Sequence, residues 1–151
     1  FFFKQKTAYE ILTCDWSSDV CSSDLVAQSD PLAARKAIMK GVGDQSRIAR
    51  DMIDGKTPFN ADAAKKVFAT FEDAAGKMPA LFPDNSKGGD TAALPAVWEN
   101  QSDFTAKFAK FGADSKAAVA QVKNLDSFKA QMGEVGKNCG GCHNTYRKKQ
   151  S

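Results

Sequence analysis

From Ser29 onward the apolar residues recur at steps of three and four, and no stretch alternates as a half-buried strand would. Four amphipathic helices account for this pattern. The first has Ser29 or Asp30 as its cap and Pro31 at its opening position, where a missing N–H is no loss. Leu32, Ile38, Met39, Val42, Ile48, Met52 and Ile53 make its stripe, and Gly55 ends it. Asn60 caps the second, whose stripe runs through Ala64, Val67, Phe68, Phe71, Ala75, Met78 and Phe82, with Pro79 bending or stopping it near Met78. FPDNSKGGDTAAL, residues 82–94, is dense in turn formers and reads as the long loop. Pro95 opens a third helix carrying Val97, Trp98, Phe104, Phe108, Phe111, Ala118, Val119 and Val122. Asp126 caps a fourth, with Phe128, Met132, Val135, Cys139, Cys142 and Tyr146 on its inner face. Long helices with mostly short connections predict an all-α, antiparallel four-helix bundle over residues 26–151, with most Phe and Met side chains as its core.

Residues 1–25, FFFKQKTAYEILTCDWSSDVCSSDL, break the pattern and hold Cys14 and Cys21. They resemble translated sequencing-adapter sequence, and are set aside as an artefactual or disordered leader. Without their two lysines and four acidic residues the chain keeps 19 basic and 14 acidic side chains, a net of +5, so the sign of the charge does not change. That balance is too small and too evenly spread to predict nucleic-acid binding. Arg147, Lys148 and Lys149 suit a helix C-terminus, where cations oppose the dipole. No apolar run approaches the ~20 residues of a membrane-spanning helix, so the chain is not expected to be membrane-embedded. With the leader set aside, any secretory signal is missing from this sequence; Val26-Ala27 before Gln28 matches the stump of a small-residue cleavage site.

The chemistry concentrates near the C-terminus, in GKNCGGCHNTYRKKQ, which contains the single histidine of the chain. Cys-x-x-Cys-His is the attachment signature of c-type haem: two thioethers form to the porphyrin and the histidine binds iron. On a helix Cys139, Cys142 and His143 fall at i, i+3 and i+4, on one face. Other readings fit less well. Structural zinc wants four ligands and the domain offers three. A thioredoxin-like dithiol belongs at a helix N-terminus after a strand. A Cys139–Cys142 disulfide closes too small a loop to stabilise much, and leaves His143 unexplained. Gly133, Gly136, Gly140 and Gly141 each cost up to ~1 kcal/mol in a helix interior. This cost implies that something bulky approaches the backbone, with Gly140 and Gly141 clearing the way. There is no second histidine and no nucleophile paired with a base, so the chain is not expected to be an enzyme.

The terminal CGGCHNTYRKK, with RKAIMK in the first helix, MPALFPDNSKGGDTAAL, and LPAVWEN opening the third, resembles the class II cytochromes c, the cytochrome c′ family with its low-spin Met/His members. The resemblance spans residues 28–150. It implies one covalent haem c per chain, linked through Cys139 and Cys142, with His143 as proximal iron ligand. It further implies Arg35 beside a haem propionate, Arg147 near the proximal face and Met39 at the distal position. A bound Met39 makes a periplasmic electron carrier that meets redox partner proteins. An unbound one leaves a five-coordinate, high-spin iron that takes NO or CO. The family also suggests a homodimer through the first two helices.

Overall fold

The computed structural model describes residues 30–149; the expectations for residues 1–25 and for Ser29 lie outside them. Five helices follow one another: α1 (Pro31–Ile53), α2 (Ala61–Lys77), the one-turn α3 (Ala96–Glu99), α4 (Gln101–Gln121) and α5 (Leu125–Tyr146). The four long ones form the bundle. None of these helices is long and apolar enough to cross a membrane.

The helix ends show how local chemistry sets the boundaries. Asp30 caps α1 by accepting from the N–H groups of Leu32 and Ala33, and Pro31 follows it. At the other end Gly55, at φ +73°, donates to the Met52 carbonyl while Lys56 donates to that of Asp51. This left-handed closure is open to glycine at little cost and satisfies carbonyls that the helix leaves free. Asn60 caps α2 through Ala63, as expected. Pro79 stops α2 at Lys77, so Phe82 belongs to the segment beyond a short 3-10 turn and not to the helix.

Two boundaries differ from the sequence reading. The expected third helix is broken at Asn100, whose ψ of 48° divides α3 from α4. The Trp98 indole donates to the carbonyls of Phe82 and Pro83, which holds α3 against the loop while α4 continues along the bundle. The cap of α5 is Asn124 and not Asp126. Asn124 accepts from the Ser127 N–H, and the Ser127 hydroxyl accepts in return from the Asn124 N–H, a reciprocal box that Asp126 has no counterpart for. Asn124→Ala is expected to destabilise the fold by about 1 kcal/mol, read as a lower urea midpoint at unchanged slope.

The core is aromatic. Phe68 and Phe71 of α2 and Phe128 of α5 are fully buried or nearly so. Phe68 meets Phe128 edge-on at 5.6 Å, and Phe71 lies against Phe111 of α4 at 5.7 Å. Phe104 gathers Phe82, Phe108 and Tyr146 around itself at 4.8, 5.0 and 5.2 Å. Packing is uneven. α2 lies closely along α4, whereas α1 touches α5 at few places, and the space left between α1 and α5 is where the candidate site opens.

Candidate functional site

A cavity of about 450 Å³ lies between α1, α4 and the C-terminal half of α5, within the range that small-molecule and cofactor sites occupy. All six residues singled out from the sequence line it: Arg35 and Met39 from α1, Cys139, Cys142 and His143 from α5, and Arg147 just beyond. Its walls are otherwise largely apolar, with Val42, Met78, Phe82, Phe104, Phe108 and Phe111 prominent among them. The stretch from Cys139 to His143 is helical, so the i, i+3, i+4 geometry holds.

Cys139 is exposed and Cys142 half-buried; neither forms a disulfide. Partial burial pushes both thiols up from their usual range, so at neutral pH they are thiols and not the low-pKa thiolates of a dithiol redox centre. Among the described residues no three His, Cys, Asp or Glu side chains are grouped to hold a metal ion by themselves. His143 lies at the open rim. The protein surface against it, and then the charge of Arg147, push its pKa down, which favours the neutral imidazole that can ligate a metal. Because the residue as a whole remains exposed, desolvation acts on it only in part.

Arg35 carries the clearest indication of what the cavity takes. It is buried, its guanidinium lies 4.1 Å from the centre of the Phe82 ring, and burial pushes its pKa down. An arginine nonetheless stays charged at neutral pH. Nε donates to the Leu81 carbonyl at 2.7 Å and Nη2 to the Ser86 carbonyl at 3.3 Å. Nη1 is buried with no partner among the described residues. A buried cation with an unsatisfied donor at an apolar cavity calls for an anionic group from a ligand. A carboxylate-bearing macrocycle with a metal at its centre meets each requirement at once: the orphaned donor, the two thiols, the imidazole and the apolar walls.

The segment from Gly89 to Leu94 closes one side and was read from the sequence only as loop. Lys36 of α1 donates to Asp90 at 2.6 Å, Leu94 donates to the Tyr146 carbonyl at 2.9 Å, and Lys148 donates to that of Ala92 at 2.8 Å. Ala93 forms a β-bridge with Arg147, which is why Arg147 is extended and no longer helical. Gly89 has φ +83°, and a Cβ there would stand 3.2 Å from Leu32, so the turn combines a left-handed backbone with close approach to α1.

One expectation fails. Neither Gly140 nor Gly141 lines the cavity. With Cys139, Cys142 and His143 turned inward, the two residues between the cysteines turn outward on a helix. A Cβ on Gly133, Gly136, Gly140 or Gly141 would meet no atom of the described residues within 4 Å, so contacts within the chain do not explain these glycines.

Comparison with known proteins points the same way. A protein-family model described as Cytochrome C′ matches residues 30–147. The chain is 43% identical to a cytochrome c′ of Rhodopseudomonas palustris over 127 residues, 83% of this chain and 87% of that one. It is 37% identical to a cytochrome c-556 of Agrobacterium tumefaciens, over 77% of this chain and 95% of the other. The solved structure of cytochrome c′ from Rhodopseudomonas palustris superposes with a TM-score of 0.78 at 42% identity, covering 81% of this chain and 98% of that one. The chain belongs to the cytochrome c′ family, whose members carry covalently attached haem c.

Proposed function

We propose that this protein is a periplasmic electron carrier in which His143 and Met39 would both ligate the iron of a covalently held haem c. The observation that carries this reading is that Met39 and His143 line one apolar cavity together with Cys139 and Cys142. Haem, when bound, supplies a one-electron ferric/ferrous couple; the chain supplies attachment, ligation and burial. Cys139 and Cys142 would hold it through thioether bonds, and the imidazole of His143 would provide one nitrogen ligand. Arg35 offers its Nη1 hydrogen to a propionate. The apolar walls would limit access of water, and a Met39 thioether on the iron would favour the reduced state and raise the potential. Arg147 adds positive charge at the rim beside His143. Periplasmic placement rests on the chemistry of attachment, since bacteria join c-type haem to protein outside the cytoplasm. The protein would exchange electrons with redox partner proteins. A homodimer through α1 and α2 fits the position of Ile48 on α1, a large apolar side chain left 41% exposed.

The second reading is a five-coordinate haem that binds NO or CO, with Met39 only packed in the cavity. It is favoured by the 43% identity to a protein named cytochrome c′. Optical spectra of the haem-loaded protein separate the two, without added ligand, for wild type and Met39→Leu. Ligation by Met39 predicts a sharp low-spin spectrum that the substitution converts to a broad high-spin one. A high-spin wild type, or a variant identical to a low-spin wild type, removes Met39 from the iron.

A further inference from the structure

We infer that Tyr146, tied through its hydroxyl to Asp103, is a positioning residue for His143; the inference rests on His143 being an iron ligand. His143 lies in the last turn of α5, where carbonyls run out of partners within the helix and the chain tends to fray. Among the described residues no side chain hydrogen-bonds the His143 ring, so where the imidazole sits depends on how α5 itself is held and packed. That differs from the usual arrangement, in which a carboxylate or carbonyl holds the second ring nitrogen of a ligating histidine.

Tyr146 supplies what the ring lacks. It stands three residues after His143 and four after Cys142, on the same helix face, and also lines the cavity. Its side chain is 4% exposed, and its ring meets Phe104 edge-on at 5.2 Å. The hydroxyl donates to Oδ2 of Asp103 on α4, and Lys107, one turn further along α4, places Nζ 3.7 Å from the same oxygen. The Tyr146 carbonyl accepts from Leu94 at 2.9 Å. The residue is thus held at both ends, by α4 through its phenol and by the loop through its backbone, and α5 cannot roll about its axis without breaking one of the two. Cys142 and His143 roll with it.

The test uses haem-loaded wild type, Tyr146→Phe, Asp103→Ala and Asp103→Asn. Tyr146→Phe keeps the ring in place and removes the tie. Covalent haem should be retained, amide exchange from His143 to Tyr146 should quicken roughly ten-fold, and the iron–histidine vibrational band, identified by its iron-isotope shift so that it is followed with or without Met39 on the iron, should shift or broaden. Asp103→Ala should reproduce both changes. Asp103→Asn, which still offers an acceptor oxygen, should recover most of the protection lost in Asp103→Ala. A Tyr146→Phe protein that melts lower but keeps a wild-type iron–histidine band overturns the inference, because the tie is then structural. A band that moves in Asp103→Asn and not in Tyr146→Phe also overturns it, in favour of charge. A wild type that takes up no haem fails differently, since the ligand assignment itself is then lost.

Discussion

Changing both Cys139 and Cys142 to alanine is expected to abolish covalent haem: none should stay with the polypeptide on extraction into acidified organic solvent, whereas all of it stays with the wild type. The two thiols line one face of one cavity, and Cys139 is exposed, so no rearrangement of the backbone is needed for either to react. The expected consequence reaches the fold as well. Loss of the tethers leaves α1 facing α5 across an apolar space, with Nη1 of Arg35 unpartnered at its edge. A group that binds the folded state in preference to the unfolded one stabilises it, the more so the further its effective concentration exceeds its dissociation constant, and that contribution goes with the tethers. Thermal unfolding followed by circular dichroism should therefore show the variant melting well below the haem-loaded wild type. Haem that resists extraction from the double variant would overturn the attachment assignment.

Phe128→Ala should be the most damaging single change to the bundle away from the cavity. Phe128 is fully buried where α5 begins, edge-on to Phe68 and at 6.1 Å from Phe59, and it does not line the cavity. Truncation removes the buried ring and leaves a void that close-packed neighbours fill only in part, at about 3–5 kcal/mol. For a domain of this size that corresponds to a melting point lower by roughly 10–20 °C. The optical spectrum of the folded, haem-loaded variant should match wild type, because the cavity is untouched. A loss under 1 kcal/mol would mean that the packing around Phe128 is loose.

The parts of the site that were legible in the sequence are those whose geometry is local. Cys139, Cys142 and His143 lie within five residues on one helix, so helical spacing alone brings them together. Arg35 and Met39 were reached through family resemblance, and the cavity then unites them with α5 from a hundred residues away. The orphaned Nη1 of Arg35 had no sequence signal, because it depends on which carbonyls the chain between Leu81 and Ser86 presents. Helical spacing puts Tyr146 on the inner face of α5 and says no more; its phenol meets Asp103 of α4, a pairing that no periodicity encodes. The break at Asn100 was hidden because apolar spacing runs on across it, from Val97 and Trp98 to Phe104. Asp126 is chemically able to cap α5, which is why the sequence points to it, but the Ser127 hydroxyl answers Asn124 and makes that residue the cap. Pro79 gave the end of α2 correctly because its effect on the backbone is local.

The loop from Gly89 to Leu94 joins the two sides of the cavity like a clasp. One end grips α1, through Lys36 and the close approach of Gly89 to Leu32, and the other grips the strand-like residues that follow α5. The width between Met39 and His143 is therefore not set independently by two helices that happen to face each other. A few loop residues that do not line up with either helix face thus bear on both walls at once, and a substitution among them would be expected to move the two sides of the cavity together.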